Sequence, residues 1–520
     1  MASSSSSLPA RLTQSFNLTQ KINPRLNAFS QLSSKSDLEK QYAQARQSGK
    51  GKGKLEGISV GVKDMFATSG DGSRTTCASR MLRDYKSPYE ATVVKQLRSE
   101  GAIVIGKTNM DEFGMGSANV HSHFGPTLNP AGPEGVEKTI ESAENEHRVA
   151  GGSSGGSAAA VSAGLCDFAL ATDTGGSTRL PAAYCGIVGF KPSYGLLSRY
   201  GVVAYASSLD TVGLMSQEVE RLKGVFDLLD KHDPQDPTSI PTFARDRATT
   251  THESLRNRIG ELSQSKDKPL QGIKIGVPAD LFPTSLLSPS LLPSIRATLT
   301  LLKDLGATLS SVRLKTAPLG LSAYYVLASA EASSNLARYD GTEFGFRAPD
   351  DLPDETRTPL YAKTRTFGFG DEVKKRILLG TFALSAEAFD SYYLQAQRVR
   401  RMLQIELDSL FSSSNPHRPS SSSPSSDSVD FLIHPTTISP APLLSSFTSP
   451  CSTSKQSSYV QDLLSLPASL AGLPAISVPV GKAQGEDKGW PVGMTFVGQW
   501  GNDRAVLDCA KIVEDALKRT

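Results

Sequence analysis

Short apolar runs alternate with helical patterns along this chain, and this alternation limits most strongly what the chain can fold into. The runs lie at residues 102–105, 168–173, 273–277, 431–433, 476–480 and 494–497. Between them, a capping-box pattern at residues 36–39 predicts the start of one helix, and "SPYE" at residues 87–90 predicts the start of another that ends at Gly101. Strands that alternate with helices in this way are typical of an α/β sheet covered on both faces. We expect a single large α/β domain with a central, mixed, twisted β-sheet flanked by helices on both faces.

Two segments are expected to lie outside this core. Residues 1–20 are serine-rich, and the stretch before Asp37 contains Arg11, Lys21, Arg25 and Lys35 but no acidic residue, so residues 1–20 are either a short flexible N-terminus or an organelle targeting segment. Residues 412–428 are rich in serine and proline and too polar to pack, which predicts a disordered insertion. The folded domain is then expected to span residues 21–520. Prolines interrupt its long uncharged run at 431–454, so no membrane-spanning helix is expected.

The charge and cysteine content argue against some classes of protein. The 55 basic and 52 acidic residues give a net charge of +3, which does not favour a nucleic-acid-binding surface. The five cysteines are scattered and include no CxxC pair. This pattern indicates core thiols in a reducing compartment rather than a zinc site, and we expect no metal site in this chain.

Two familiar motifs match the sequence but not its context. Residues 101–108, "GAIVIGKT", match the phosphate-binding loop, yet the residues between the glycines favour a buried strand, and a helical pattern precedes them. Residues 151–155 match the nucleophile elbow of α/β-hydrolases, but the charged segment before them, at 141–150, is unlike a strand. That elbow also needs a histidine base, and the downstream histidines lie in polar or proline-rich contexts. We therefore expect the base to be a different type of residue.

A glycine-rich turn follows the predicted strand at 168–173. The turn, Thr174-Gly175-Gly176-Ser177, leaves successive backbone N–H groups unshielded by side chains. Such donors can stabilise an oxyanion by about 3 kcal/mol each. In this interpretation Ser177 is the nucleophile. The alternative is a tight turn with a hydrogen-bonding serine.

Lys63 is the candidate base for this serine. It lies near the end of a predicted buried strand within "GISVGVKDMF" at residues 57–66. Burial lowers the pKa of a lysine because it disfavours the charged form, so a neutral amine becomes available. The alternative is a strand-end lysine paired with Asp64. A second cluster, with Ser153 and Ser154 among glycines, offers a hydroxyl that could relay a proton to the lysine.

Two segments, "GGSSGGSAAAVSAG" from residue 151 and "TDTGGSTRLPAAYCGIVGFKP" from residue 172, resemble the amidase signature family of serine hydrolases. The resemblance implies a Ser-Ser-Lys triad in which Ser177 is the nucleophile, Ser153 is the bridging serine after a cis peptide bond, and Lys63 is the base. The implied oxyanion hole consists of the backbone N–H groups of Thr174, Gly175, Gly176 and Ser177.

Further segments along most of the chain are similar to one branch of this family, the A subunits of glutamyl-tRNA(Gln) amidotransferases. Examples are "TTCASRML" at 75–82, "GKTNMDEFGMGS" at 106–117, "GFGDEVKKRILLGTFALS" at 368–385 and "QDLLSLPASLAGLPAISVPVG" at 461–481. The similarity implies a glutaminase that forms a glutamyl ester on its serine and supplies ammonia to a partner B subunit. ATP and Mg are expected in that partner, where the tRNA chemistry occurs.

The same similarity implies which partners this chain has and where in the cell it acts. It leaves a small third subunit open, and it implies that glutamine is the substrate and that tRNA is contacted mainly through the partner. No cofactor and no membrane contact are expected for this chain. The serine-rich insertion suggests a eukaryotic chain, so we expect the mitochondrial matrix, with the cytoplasm as the alternative.

Motif matching to these subunits places the substrate-binding residues at Arg376, Asp462 and Tyr324. Because glutamine carries a carboxylate and an ammonium at one end, a guanidinium and a carboxylate suit its recognition. Without the resemblance, Arg376 would be interpreted as a helix-surface cation beside Lys374 and Lys375. Asp462 would be interpreted as a first-turn acid stabilised by the helix dipole.

The sequence departs from the family pattern in places, and other functions stay open. Ala150 stands where proline is expected, residues 131–147 form an acidic insertion, and His434 replaces a small residue. A stand-alone amidase acting on another small amide would share the triad but would not need the pair Arg376 and Asp462. A catalytically silent scaffold that only binds its partner is the third possibility.

Overall fold

Eleven strands form one mixed β-sheet through the middle of the molecule. The computed structural model describes residues 8–47, 53–262, 267–349, 361–418, 427–448 and 457–519. The strands are β1 (Phe29–Leu32), β2 (Ser59–Lys63), β3 (Ile103–Thr108), β4 (Phe168–Asp173), β5 (Val188–Lys191), β6 (Thr211–Ser216), β7 (Lys274–Pro278), β8 (Thr308–Val312), β9 (Phe431–Pro435), β10 (Ala475–Lys482) and β11 (Pro491–Val497).

The strand order across the sheet is β1-β3-β2-β4-β6-β5-β10-β11-β9-β7-β8. Strand β2 runs parallel to β3 and β4, and β7 runs parallel to β8 and β9. The other neighbouring strands pair antiparallel. The predicted mixed sheet is confirmed. Because parallel strands point the same way, the carboxyl ends of β2 and β4 lie at the same edge.

Helices cover both faces of this sheet. The α-helices are α1 (Ala10–Leu26), α2 (Lys35–Gln47), α3 (Thr92–Ser99), α4 (Val136–Glu141), α5 (Gly155–Ser162), α6 (Arg179–Tyr184), α7 (Val219–Leu229), α8 (Thr242–Leu262), α9 (Leu292–Asp304), α10 (Gly320–Asn335), α11 (Ala362–Gly368), α12 (Asp371–Ala383), α13 (Tyr393–Leu410), α14 (Ser445–Thr448), α15 (Ser457–Val460), α16 (Leu466–Ala471) and α17 (Asp503–Leu517). In β4, Phe168 and Leu170 join the larger hydrophobic core. Ala169 and Ala171 join a second core, which includes residues 158–160 of α5. Alternate residues of the strand therefore pack on opposite faces of the sheet, as expected for a covered α/β sheet.

The N-terminal segment is more ordered than predicted. We expected residues 1–20 to be a short flexible terminus or targeting segment, and flexibility is wrong for residues 10–20, which belong to α1. Leu12 and Leu26 of this helix are buried, so its apolar side packs onto the domain. Residues 1–7 lie outside the described residues.

The serine- and proline-rich insertion is also partly ordered. We predicted disorder over residues 412–428, and the structure corrects this for both ends of the segment. The Ser412 hydroxyl donates to Asp430 Oδ1 at 2.6 Å, which anchors the start of the insertion beside β9. Residues 419–426, for which the prediction is not tested, lie outside the described residues.

Three of the sequence expectations concern membrane-spanning helices, metal sites and cysteines. Among the described residues, no helix combines the length and apolar character needed to cross a membrane. The same residues contain no group of three or more His, Cys, Asp or Glu side chains suited to hold a metal ion. The four described cysteines, Cys77, Cys166, Cys185 and Cys509, are buried free thiols, and Cys451 lies outside the described residues. Burial raises the pKa of Cys166 to about 12, so this thiol stays protonated at neutral pH.

Candidate active site

The end of β2 and the turn after β4 meet at one edge of the sheet. Lys63 is the last residue of β2, and Asp173 is the last residue of β4. The two strands are parallel neighbours, so their carboxyl ends place Lys63 near the glycine turn at 174–177. The loop that carries Ser153 precedes α5 and contacts both of these segments. Three segments that are distant in sequence therefore form one site.

Lys63 is fully buried, and its amine contacts three hydroxyl groups. Its Nζ atom lies 2.8 Å from both Ser153 Oγ and Ser154 Oγ. It also lies 2.7 Å from Thr172 Oγ1. Burial lowers the pKa of Lys63 from 10.5 to about 7, although the charges of nearby aspartates oppose this change. A large fraction of the amine is therefore neutral at pH 7, and a neutral amine can accept a proton from a hydroxyl that it contacts.

The acidic neighbour of Lys63 pairs with a different lysine. Asp64 Oδ1 lies 3.8 Å from Lys107 Nζ, and both side chains are buried. Lys107 also donates to the Phe66 carbonyl at 2.5 Å. The alternative pairing of Lys63 with Asp64 is therefore not the one that forms. Lys107 belongs to the "GAIVIGKT" match and lies in β3, which is buried throughout, so the expectation of a strand rather than a phosphate loop is confirmed.

The first serine cluster approaches the second through its backbone. A cis peptide bond joins Gly152 and Ser153, as the resemblance implied. A side chain at Gly152 would come within 2.6 Å of the backbone nitrogen of Ala118, so the position requires glycine. The N–H of Ser154 donates to the carbonyl of Ser177 at 3.3 Å. The Ser177 hydroxyl makes no hydrogen bond within the part of the chain that the structure describes, and its role as nucleophile stays a prediction.

The turn at 174–177 needs its glycines because other side chains press against it. Gly176 has a φ of 140°, and a side chain there would come within 2.8 Å of Ser465 Cβ. A side chain at Gly175 would come within 2.6 Å of the Tyr324 hydroxyl oxygen. Among the described residues, no acceptor is found for the backbone N–H groups of the two glycines. These two N–H groups are therefore available as donors, and the oxyanion hole stays a prediction.

A buried ion pair that was not predicted from the sequence supports this turn. Arg179 donates from Nε to Asp173 Oδ2 at 3.0 Å and from Nη2 to Asp173 Oδ1 at 2.9 Å. It also donates to the Ser465 carbonyl at 2.9 Å and to the Ser469 hydroxyl at 2.8 Å. Burial alone would raise the pKa of Asp173, but the adjacent guanidinium holds it below its ordinary value. The signal available in the sequence was an arginine at the start of the uncharged run "LPAAYCGIVGF".

Arg376 is buried in a cage of aromatic rings rather than exposed beside the neighbouring lysines. Its Nε donates to Glu372 Oε1 at 2.7 Å, one helical turn earlier in α12. Its Nη1 donates to the Tyr205 hydroxyl at 2.7 Å. The rings of Tyr205, Tyr325 and Tyr459 surround the guanidinium, with centres 5.9, 5.2 and 5.8 Å from its carbon. The surface-cation alternative for Arg376 is therefore wrong.

Asp462 and Tyr324 both lie at the glycine turn. Asp462 is buried in the turn before α16, so its interpretation as a first-turn helix acid is wrong. The Tyr325 hydroxyl donates to Asp462 Oδ2 at 2.8 Å. Burial raises the pKa of Asp462 to about 7, although this hydrogen bond and the charge of the nearby arginine oppose the change. The Ser465 hydroxyl donates to the Gly175 carbonyl at 2.5 Å and thereby joins the Asp462 turn to the glycine turn.

The side chains that hold the predicted substrate-binding residues were not predicted from the sequence either. Only Glu372 had a local signal, because it lies four residues before Arg376 on a helical pattern. Tyr205 is 171 residues from Arg376, and Ser465 is 290 residues from Gly175. No sequence pattern predicts contacts over such separations.

Two of the downstream histidines, His252 and His434, have structural roles. His252 Nε2 lies 2.9 Å from the Trp500 carbonyl, and His434 Nδ1 lies 2.8 Å from the Pro435 carbonyl. Burial lowers the pKa of each imidazole to about 4, so both are neutral at pH 7. The departure from the family pattern at His434 is thus accommodated inside β9.

The two other departures are also accommodated. The Ala150 carbonyl accepts a hydrogen bond from Cys185 Sγ at 3.4 Å, and Ala150 is fully buried. The acidic insertion at 131–147 forms α4, which packs against α1. There, Lys21 Nζ lies 2.7 Å from Glu137 Oε1. The insertion therefore lies against the N-terminal helix.

Known proteins are similar to this chain over nearly its whole length. A family model described as Amidase matches residues 11–507. The chain is 48% identical over 468 residues to the mitochondrial A subunit of glutamyl-tRNA(Gln) amidotransferase from Mycosarcoma maydis, and the match covers 90% of this chain and 84% of that protein. It is 46% identical over 476 residues to the protein of the same name from Emericella nidulans, covering 90% of each. The crystal structure of the A subunit of glutamyl-tRNA(Gln) amidotransferase from Thermotoga maritima is similar with a TM-score of 0.70 and 34% identity, covering 97% of this chain and 90% of that one.

Proposed function

The chain belongs to the amidase family, and from that premise we propose that it is the glutamine-hydrolysing subunit of an enzyme that converts Glu-tRNA(Gln) to Gln-tRNA(Gln). The observation that carries the proposal is the contact of 2.8 Å between the buried Lys63 amine and Ser153 Oγ. A buried lysine whose pKa lies near 7 and whose amine contacts a serine hydroxyl is suited to general-base chemistry.

The first half of the proposed reaction acylates the enzyme. Ser177 attacks the side-chain amide carbon of glutamine, its proton passes to Ser153 Oγ, and the Ser153 proton passes to Lys63 Nζ. The oxyanion that forms accepts hydrogen bonds from the backbone N–H groups of the glycine turn, which have no acceptor among the described residues. The C–N bond then breaks, and the proton held on Lys63 returns through Ser153 to the leaving nitrogen, which departs as ammonia.

The second half releases the acyl group. Water attacks the glutamyl ester on Ser177 and gives up a proton along the same path to Lys63. The ester C–O bond breaks, Ser177 recovers its proton, and glutamate leaves. This chemistry needs one proton acceptor that is neutral at working pH, and the geometry around Lys63 supports that role.

The proposed substrate pocket matches the charges of glutamine. The Arg376 guanidinium would bind the α-carboxylate, and Asp462 would accept hydrogen bonds from the α-ammonium. Tyr324, whose hydroxyl lies against Gly175, would contact the substrate beside the glycine turn. This assignment is supported by Tyr325, which contacts both Arg376 and Asp462. The two charged side chains therefore lie near each other, beside the glycine turn.

The relatives are named as subunits, which supports a heteromeric assembly. We propose that the ammonia goes to a B subunit, in which ATP and Mg act and through which tRNA is mainly contacted, while the presence of a small third subunit stays open. This chain would use no cofactor of its own. The relatives are named mitochondrial, and we propose the mitochondrial matrix as the location.

The proposal can be tested on the complex purified through this chain. Glutamine hydrolysis and labelling by a fluorophosphonate probe should both be lost in Ser177→Ala. Ser162→Ala is the matched control, because Ser162 lies at the end of α5 and its hydroxyl donates to the Cys185 carbonyl at 2.8 Å, outside the site. Labelling that persists in Ser177→Ala would refute the assigned nucleophile. An unlabelled wild-type complex would favour the silent scaffold.

A stand-alone amidase is the second candidate, because Glu372 already neutralises the charge of Arg376. Arg376→Ala distinguishes the two functions when it is assayed with glutamine and with a neutral amide. Loss of activity on glutamine alone supports the glutaminase, and equal loss on both substrates supports the alternative. Native purification that recovers this chain without any partner would also count against the amidotransferase.

A further inference from the structure

We infer that Glu372 determines substrate specificity, because it makes the carboxylate-binding end of the pocket electrically neutral and so selects an amide that carries an ammonium as well as a carboxylate. The inference rests on the proposed glutaminase function. It concerns a residue that touches Arg376 rather than the reacting atoms.

The geometry pairs the two side chains along one edge of the guanidinium. Glu372 Oε1 accepts from Arg376 Nε at 2.7 Å, and the two residues lie one turn apart in α12. A second donor of Arg376, Nη1, donates to the Tyr205 hydroxyl at 2.7 Å. A guanidinium has five N–H donors, so within the described residues the other donors stay available for a bidentate contact with a carboxylate.

Glu372 is held in its charged form by a second partner. The Tyr459 hydroxyl donates to Glu372 at 2.9 Å to Oε1 and 3.1 Å to Oε2. Burial alone would raise the pKa of Glu372, but the charge of Arg376 lowers it below its ordinary value. Glu372 also lies in the first turn of α12, where the helix dipole favours a negative charge.

The charge balance has a consequence for which amides bind. A substrate carboxylate at Arg376 would lie on the far side of the guanidinium from the Glu372 carboxylate, and the two like charges repel each other. An ammonium on the substrate offsets that repulsion, because it can approach Asp462. An amide with a carboxylate but no ammonium lacks this compensation. Glu372 therefore penalises the anionic amide relative to the zwitterion, which is selection by repulsion of the wrong ligand.

The test compares glutamine with glutaramate, the same molecule without its amino group, in wild-type and Glu372→Gln complexes. The Glu372→Gln substitution keeps a side-chain oxygen that can accept a hydrogen bond from Arg376 Nε, but it removes the negative charge. We expect the ratio of kcat/KM for glutamine to that for glutaramate to fall about tenfold, the size expected for one like charge in a partly buried site. Glutaramate should also inhibit glutamine hydrolysis about tenfold more strongly in the variant.

Asp371→Asn is the matched control, since it removes the adjacent carboxylate, which is fully exposed and pairs with Lys374 at 2.8 Å. Its substrate ratio should equal that of the wild type. Stronger inhibition by glutaramate is a gain that a folding defect would not produce. An unchanged ratio, or equal loss on both substrates, would overturn the inference. If the wild-type complex does not hydrolyse glutamine at all, the proposed function fails instead.

Discussion

Replacement of Lys63 by methionine should remove catalysis and, near neutral pH, stabilise the fold. Burial lowers the pKa of Lys63 from 10.5 to about 7, so folding near neutral pH shifts this amine towards its neutral form. A change of that size corresponds to about 5 kcal/mol in the free energy of unfolding. Methionine fills a similar volume and does not carry this cost.

The sign of the effect depends on pH. Between pH 7 and 10.5 the unfolded chain binds a proton at Lys63 that the folded chain does not, so the free energy of unfolding of the wild type rises with pH by about 1.4 kcal/mol per pH unit. The loss of stability caused by burying Lys63 is fully present below pH 7. Methionine also leaves three hydroxyls without their amine partner, at about 1 kcal/mol each. The variant should therefore be about 1 to 2 kcal/mol more stable than the wild type at pH 7, and this difference should fall by about 2 kcal/mol at pH 9.

Urea unfolding of both proteins at pH 7, 8 and 9 measures this difference, and glutamine hydrolysis should fall about 10³-fold or more in the variant. Lys191→Met is the matched control, because Lys191 is also buried, its pKa is also lowered to about 7, and its amine donates to the Pro192 carbonyl at 3.0 Å. The control should show a similar pH dependence and keep its activity. If the stability difference for Lys63→Met is constant from pH 7 to 9, Lys63 is not neutral in the folded protein and the base is wrongly assigned.

Three further results are expected. The value of kcat/KM for glutamine should rise by about tenfold or more per pH unit below pH 7 and level off above it, because both Lys63 and Asp462 lose a proton near pH 7, and a flat profile from pH 5.5 to 9 would contradict this. Asp173→Asn leaves Arg179 buried without its charge partner and should lower the free energy of unfolding by about 3 to 5 kcal/mol in urea titrations, whereas a loss below about 1 kcal/mol would show that the pair contributes little. Gly176→Ala places a methyl group against Ser465 at a φ of 140° and should slow fluorophosphonate labelling about 100-fold, and labelling at the wild-type rate would show that the turn tolerates a side chain.

The strands were predicted best where burial is nearly complete. Strand β4 spans Phe168–Asp173, the same residues that the apolar run indicated. The start of α3 was predicted less well, since the "SPYE" pattern favours residues 87–90 and the helix begins at Thr92. The N–H of Ala91 donates to the Ala67 carbonyl at 2.9 Å, and this tertiary contact holds the preceding segment outside the helix.

The start of α2 is a second case in which tertiary packing, rather than local sequence, fixes where a helix begins. The capping box was placed at residues 36–39, but the helix begins at Lys35 and the Ser34 hydroxyl accepts from the Asp37 N–H at 3.2 Å. Several serines in this segment have the same capping propensity. Packing of Leu38 into the core selects one of them.

Sequence alone determined which residue types could do chemistry here: two glycine-serine clusters and a lysine at the end of a buried strand. These features are local, because glycine, strand and helix preferences act over a few residues. Only the tertiary structure decided that the pKa of Lys63 is lowered to about 7 and that aromatic rings surround Arg376, since desolvation depends on every atom around a group. Contacts such as Ser465 with Gly175, 290 residues apart, form when the whole sheet is assembled, and no local preference encodes them.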